Sequence, residues 1–186
     1  IIKNLAEEFE NIKSFNLLKN YGQHTAIFCG IKHAKGDFIV TMDDDLQNPP
    51  SEIIHLINKI SDGYDLVFGR FKSKKHKKYR KIGSTIIKKL NEKIFHKPKD
   101  ITLSNFRIFT REVGLRVSSY KTFYPYIPGL LLLSSSKIAN VETEHHIRVI
   151  GKSNYSLFKI IKLVSRLLIN YSSFPLKLLT IVGFII

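Results

Sequence analysis

The sequence holds one cysteine, one methionine and no tryptophan, and only 15 acidic residues stand against 30 lysines and arginines. A lone Cys29 excludes an internal disulfide framework and any zinc site assembled from several cysteines, which suits a reducing compartment. The shortage of acid leaves a formal charge of +15. Such an excess asks for a polyanionic partner: nucleic acid, an anionic membrane surface or a phosphorylated substrate. Internal repeats and low-complexity linkers are missing as well. What is present, 44% hydrophobic and 24% charged residues in 186, describes one domain with a sizeable core, neither disordered nor membrane-embedded throughout.

The ends carry their own signals. Residue 1 is Ile, and Ile1, Leu5, Phe9 and Ile12 already stand at helical spacing with no leader before them, which predicts a chain that starts inside a domain. At the far end LKLLTIVGFII (176–186) is apolar to its last residue. As a helix those residues cover about 16 Å, roughly half a bilayer's hydrocarbon core, so the expectation is a transmembrane helix cut short. The preceding stretch sets Leu157, Ile160, Ile161, Val164 and Leu168 on one helical face and Lys159, Lys162 and Arg166 on another. That pattern predicts a basic amphipathic helix at a membrane surface.

Between the ends, helical and strand periods alternate. FNLLKN (15–20) reads as a short strand, Gln23–Lys35 as a helix ended by Gly36, and DFIVTMD (37–43) as a strand buried in a largely parallel sheet. Pro49 to Glu52 start a helix whose buried stripe is Ile53, Ile54, Leu56, Ile57 and Ile60. YDLVFGR (64–70) and LSNFRIFT (103–110) read as strands, REVGLRVSSY (111–120) as a helix, and 137–150 has strand character. Twelve basic residues crowd 70–97, where 70–81 reads as a basic loop and Ser84–Phe95 as a helix. Segment 121–138 has no assignable period. The alternation predicts an α/β domain.

The sharpest chemical signal is MDDDLQNPP (42–50). Three consecutive aspartates repel one another unless a cation sits among them, and they fall where α/β sheets bind ligands, at the carboxyl end of a strand. Side chains two apart on extended chain point the same way, so Asp43 and Asp45 can converge on one ion, Mg²⁺ or Mn²⁺, with Gln47 nearby. A solvated acidic turn that caps a helix explains DDD alone equally well. His145-His146 beside Glu142 and Glu144 is a weaker candidate, because neighbours on a strand face opposite ways.

Six ordered blocks extend the signal: NYGQ (20–23), the Ala26–Gly30–Ala34–Gly36-Asp37 spacing, VTMDDDLQNPPSEI (40–53), GYDLVFGR (63–70), SNFRIFTREV (104–113) and RVIGKSNYS (148–156). Together, over about residues 17–186, the chain resembles the family 2 glycosyltransferases that move a sugar from a nucleotide onto a polyprenyl phosphate, the group of dolichol-phosphate mannose synthases and undecaprenyl-phosphate glycosyltransferases. The resemblance implies a partial GT-A-like domain over 1–150 that lacks its first strands, a juxtamembrane amphipathic helix over 151–174 and the start of a transmembrane segment over 175–186. It implies a UDP- or GDP-sugar donor, a polyprenyl phosphate acceptor, Mg²⁺ or Mn²⁺, and a catalytic domain on the cytoplasmic face of a membrane.

Position by position, the resemblance gives Asp43 and Asp45 to the metal and donor diphosphate, and Gln47 to the third ligand place. Arg70 faces the phosphates, Arg80 helps hold the acceptor phosphate, and Arg107 is the arginine of the (S/G)-x-F-R block. Arg148, Lys152 and Ser153 form the late cationic element over the lipid phosphate. Seven arginines stand against 23 lysines, and four of the seven lie in these blocks. The chemistry asks for them, because two phosphate groups in one site need fixed guanidinium forks. Asn105 departs from relatives that carry Asp, a position suggested for a catalytic base. A phosphate acceptor, dianionic near pH 7, needs positioning more than deprotonation. Two other readings are kept: a family 2 transferase with a soluble or polysaccharide acceptor, and a basic nucleic-acid-binding module. The module fares worse, since 70–97 has few aromatics and the aspartates repel a phosphate backbone. The expectation is therefore no nucleic-acid partner, with homo-oligomerisation left open.

Overall fold

The computed structural model describes residues 1–71, 78–144, 146 and 157–185, and for 78–82, 157, 159 and 185 the backbone alone. Helix α1 (Ile2–Glu8) is followed by α2 (Gln23–His33), strand β1 (Phe38–Thr41), a short 3-10 turn and α3 (Ile53–Ser61). Next come β2 (Leu66–Phe71), α4 (Lys78–Ile94), β3 (Arg107–Thr110), α5 (Arg111–Ser119), α6 (Ile127–Ser134) and β4 (Ile138–Thr143). Helices α7 (Leu157–Tyr171) and α8 (Phe174–Ile185) end the chain.

The α/β expectation holds, but the sheet is mixed rather than largely parallel. Its order is β1-β3-β2-β4. β3 runs antiparallel to both neighbours, and β2 runs parallel to β4. An apolar strand pattern reports burial on both faces and carries no direction, which is why the sense of β3 was not foreseen.

Alternation along the strands splits the core. Ile39, Leu66, Phe68 and Phe109 face α2, α5 and α6, while Val67, Ile108 and Ala139 face α3. Burying side chains of this size stabilises by about 2 kcal/mol each, which fixes the strand register. On α3 the buried stripe is narrower than its sequence suggests. Leu56 and Ile60 are buried, whereas Ile54 and Ile57 are exposed. Gly129 on α6 lies against the Phe95 ring so closely that any Cβ there would overlap it. A third cluster, Phe95, Tyr126, Leu132 and Leu167, docks α7 on this side.

Three sequence expectations are corrected. FNLLKN forms no strand: Leu18 is 99% exposed, and Phe15 packs its ring on His33 at 4.1 Å instead of joining a ladder. The helix expected from Ser84 starts at Lys78, inside the stretch read as a loop. Helix α7 packs through Leu163, Leu167 and Tyr171, which the predicted face left out; of that face Ile160, Val164 and Leu168 are half-buried and Ile161 is exposed. Among the described residues no single helix is long and apolar enough to cross a membrane; 160–171 and 174–184 pass that test only as a pair bent by 77°.

Candidate active site

β1, β2 and β4 end at the same edge of the sheet, where β3 begins, and the predicted residues gather there. The β1–β3 register pairs Thr41 with Arg107, so carrying it two residues further sets Asp43 across from Asn105. The β2–β3 register, extended likewise, brings Arg70 beside Asn105, and Arg70 pairs with Glu142 on β4. The Gly69 N–H donates to the Phe106 carbonyl at 2.9 Å, which continues that ladder. One row across the sheet end thus reads Asp43, Asn105, Arg70, Glu142.

Asp43 is the best-held member. Its carboxylate accepts from Gln23 Nε2 at 2.7 Å and from Asn105 Nδ2 at 3.0 Å. Gln23 opens α2 directly after Gly22, whose φ of 90° turns the chain and needs a residue without a Cβ. Burial alternates through the aspartates, with Asp43 and Asp45 half-buried and Asp44 exposed, as expected for two carboxylates on one side. Asp45 Oδ1 accepts the Gln47 N–H at 3.1 Å, closing a side-chain turn, and the next residue, Leu46, sits at φ 58°. A bulky residue in the left-handed region is strained, and such strain collects at functional turns.

Gln47 faces the end of β4. Its Nε2 donates to the His146 carbonyl at 3.3 Å, and its own carbonyl accepts the His146 N–H at 2.9 Å. Nearby, Glu52 is buried and accepts the Glu144 N–H at 2.9 Å. The acidic turn is therefore clasped to β4 from two points. Among the described residues no three His, Cys, Asp or Glu side chains form a metal-holding group. Two hard carboxylates suit Mg²⁺ or Mn²⁺, which take their remaining ligands from substrate oxygens and water, and do not suit a structural zinc site.

Behind Asp43 lies Arg107, fully buried. Its Nε donates to Thr41 Oγ1 at 3.0 Å, and that hydroxyl donates to the Asn105 carbonyl at 2.8 Å. Neither terminal nitrogen of the guanidinium finds an acceptor among the described residues. Burial pushes its pKa down to about 10, with Tyr126 and Asp43 acting the other way. A cation buried with two unmet donor groups is costly and points to an anionic or oxygen-rich ligand.

His24, the second residue of α2, is the neighbour that sequence reasoning missed. Its pKa falls to about 4, first through burial and second through Arg107. Its ring meets that of Tyr126 edge-on at 5.4 Å, and its Nδ1 is buried without a partner. The sign of the pH effect follows. Between about pH 6.5 and 4 the unfolded chain binds the proton and the folded chain does not, so stability is complete above 6.5 and falls as pH drops towards 4. We expect a loss of up to about 3 kcal/mol across that window. Urea titrations from pH 7 to 4 should show it, and His24→Phe should flatten the slope.

Other predicted residues are placed more loosely. Arg70 is exposed at the end of β2. Arg80 lies on α4 with only its backbone described, and Arg148, Lys152 and Ser153 lie outside the described residues. Gln23 and Thr41 fall inside the NYGQ and VTMDDDLQNPPSEI blocks without a role of their own, and no local signal marks His24 or Tyr126.

Comparison with known proteins fits this geometry. Residues 1–126 match the model of the glycosyl transferase family 2. The chain is 34% identical, over its whole length, to an undecaprenyl-phosphate 4-deoxy-4-formamido-L-arabinose transferase of Photorhabdus laumondii, of which it spans 58%. Its fold is similar to glucosyl-3-phosphoglycerate synthase of Mycobacterium tuberculosis solved with Mn²⁺ and UDP-glucose, at TM-score 0.53 and 17% identity over 82% of this chain and 54% of that one. The same enzyme with Mn²⁺, UDP and phosphoglyceric acid gives TM-score 0.58 at 16% identity, over 82% of this chain and 53% of the other. The chain thus spans little more than half the length of these relatives. With an α/β, GT-A-like mixed sheet and a family match over 1–126, the chain belongs to the glycosyl transferase family 2.

Proposed function

We propose that the protein transfers a sugar from a nucleotide-diphosphate donor with the help of a divalent metal. The observation that carries this reading is Asp43, fixed between Gln23 and Asn105 at a strand end, with Asp45 two residues on and a buried Arg107 behind. Asp43 and Asp45 would hold Mg²⁺ or Mn²⁺, an ion that, when bound, offsets the charge of the departing diphosphate. Gln23 and Asn105 aim the Asp43 carboxylate, so little reorganisation is left for the moment of reaction. Arg107 would place its positive charge behind Asp43 in a dry interior, where a charge acts more strongly than in water. Asn105 serves as a positioning residue, since its amide is spent on Asp43 and an amide cannot take up a proton at neutral pH. The acceptor oxygen attacks the anomeric carbon with inversion, and the nucleoside diphosphate leaves.

For the acceptor we propose a polyprenyl phosphate. The relative that is 34% identical over this whole chain supports it, being named for undecaprenyl phosphate. So does α8, whose Leu176, Leu179, Ile181 and Phe184 are all more than half exposed, as suits a helix seated in a bilayer surface. Arg80, Arg148, Lys152 and Ser153 would then meet the lipid phosphate. A second reading, a soluble acceptor, has the structural likeness on its side, because the similar fold was solved with phosphoglyceric acid. The test offers labelled UDP- and GDP-sugars with Mg²⁺ or Mn²⁺ to the full-length protein in membranes, with polyprenyl phosphate. Label in the organic phase that needs both lipid and metal supports the lipid acceptor. Label only in water-soluble product supports the second reading, and no transfer from any donor removes both.

A further inference from the structure

The loop between α5 and α6 projects from the core as an exposed tip. Pro125 and Tyr126 are buried, whereas Phe123 is 96% exposed and Lys121 and Tyr124 stand in solvent beside it. The tip is not slack: Thr122 Oγ1 accepts the Tyr124 N–H at 3.2 Å, which closes a turn with Phe123 at its apex. A phenylalanine held out in this way adds nothing to the fold, since only burial of the ring would stabilise it.

This loop is tied to the last turn of α7. The Tyr171 hydroxyl donates to the Tyr124 carbonyl at 2.9 Å and accepts the Tyr126 N–H at 3.1 Å, and the Arg166 guanidinium carbon lies 4.9 Å from the centre of the Tyr124 ring. α7 itself is apolar on two sides. Leu163 and Leu167 pack on the core, while Phe158, Ile161 and Ile169 are exposed with Lys162 among them. Shortly after Tyr171, α8 continues the exposed apolar surface. The charge here is of one sign. Residues 113–141 and 145–186 contain no Asp or Glu, and Lys121, Lys162, Arg166 and Lys177 are all exposed. Apolar side chains set among cations alone fit an anionic lipid surface, where aromatic rings sit at headgroup depth and each basic residue adds attraction. A nucleic acid would meet the cations and leave Phe123, Ile161 and Ile169 in water.

We propose that the 120–124 loop is a second membrane-contacting element, seated together with the outer face of α7 in the interface of an anionic bilayer. The bilayer is taken from the lipid-acceptor reading above, and the contact is tested without transfer. The full-length protein carries one cysteine, at Tyr120→Cys or at Ile54→Cys, with Cys29 and any other cysteine changed to serine. Each is labelled with an environment-sensitive dye and placed in phosphatidylglycerol nanodiscs, with and without a nitroxide on the lipid. Tyr120→Cys leaves Phe123 in place, and Ile54 is an exposed position on α3, across the sheet from α7. The expected result is a blue-shifted dye at 120 that the nitroxide quenches, and a water-like, unquenched dye at 54. Phe123→Ser should lower the inserted-to-free ratio of the loop about tenfold, and Lys121→Gln about fivefold.

A dye at 120 that stays water-like, that is quenched no more than the dye at 54, or that ignores Phe123→Ser overturns the proposal. A blue shift that grows with protein concentration and is blind to the nitroxide places a second copy of the chain on this face, and overturns it as well. Quenching at 120 in a protein whose transfer assay gives only water-soluble product keeps the membrane surface and defeats the lipid acceptor. Transfer to lipid by a protein whose loop stays in water does the reverse.

Discussion

Asp45→Asn is expected to lower sugar transfer about a thousandfold at saturating donor while the melting temperature moves by no more than about 2 °C. The substitution is informative because the turn survives it. An asparagine Oδ1 can still accept the Gln47 N–H, now bonded at 3.1 Å, so only the negative charge is lost. Asp43→Asn is the less clean experiment. It would set an amide against Gln23 Nε2 and Asn105 Nδ2, donors on both sides, and so would unsettle the turn as well as remove charge. Initial rates across a Mg²⁺ or Mn²⁺ titration check the prediction. Activity within tenfold of wild type at ordinary metal would remove Asp45 from any role in holding the ion.

Arg107→Met is expected to do the opposite to the fold: transfer falls by about a hundredfold or more, and the protein becomes more stable. The guanidinium is fully buried, keeps one hydrogen bond to Thr41, and leaves both terminal nitrogens unmet. A buried cation with no acceptor for either terminal nitrogen costs the fold its desolvation, and an apolar side chain of similar length removes that cost. Thr41 keeps its bond to the Asn105 carbonyl, so the strand end stays closed. Urea midpoints and transfer rates on the same samples give both readouts. A destabilised but active Arg107→Met protein would make this arginine a structural element. Arg107→Lys should not rescue activity, because a lysine's point charge cannot reproduce the planar guanidinium that bonds Thr41 and keeps further donors behind Asp43.

Where the apolar period was strong, the fold was legible. α2, α3, α5 and the strands around Val40, Val67 and Ile108 appear within a few residues of their expected places. The failures have separate causes. IPGLLLLS became α6, which is buried at Ile127 through Leu132, and a short run buried on nearly every side shows no period to read. FNLLKN has strand-like residues but gains no ladder partner, and propensity alone does not hold a strand. The site divides in the same way. Asp43, Asp45, Asn105 and Arg107 stand out as charged or polar residues beside apolar strands. Gln23 and His24 do not, since only the folded sheet brings the start of a helix to an aspartate 20 residues away.

The strand order β1-β3-β2-β4 has a consequence for synthesis. β3 is the partner of both β1 and β2 in this sheet, yet it comes after both in the chain. A ribosome that has released β1 and β2 but not Arg107–Thr110 holds two short apolar segments with no strand yet made to lie between them. Exposed edges of that kind invite wrong pairing until β3 emerges. When it does, the Thr41–Arg107 pairing closes an interval of 66 residues, and Asn105 reaches Asp43 in the same event. Pairings this distant fold slowly. This edge of the sheet is therefore assembled with β3, and no state that lacks β3 brings Asn105 to Asp43.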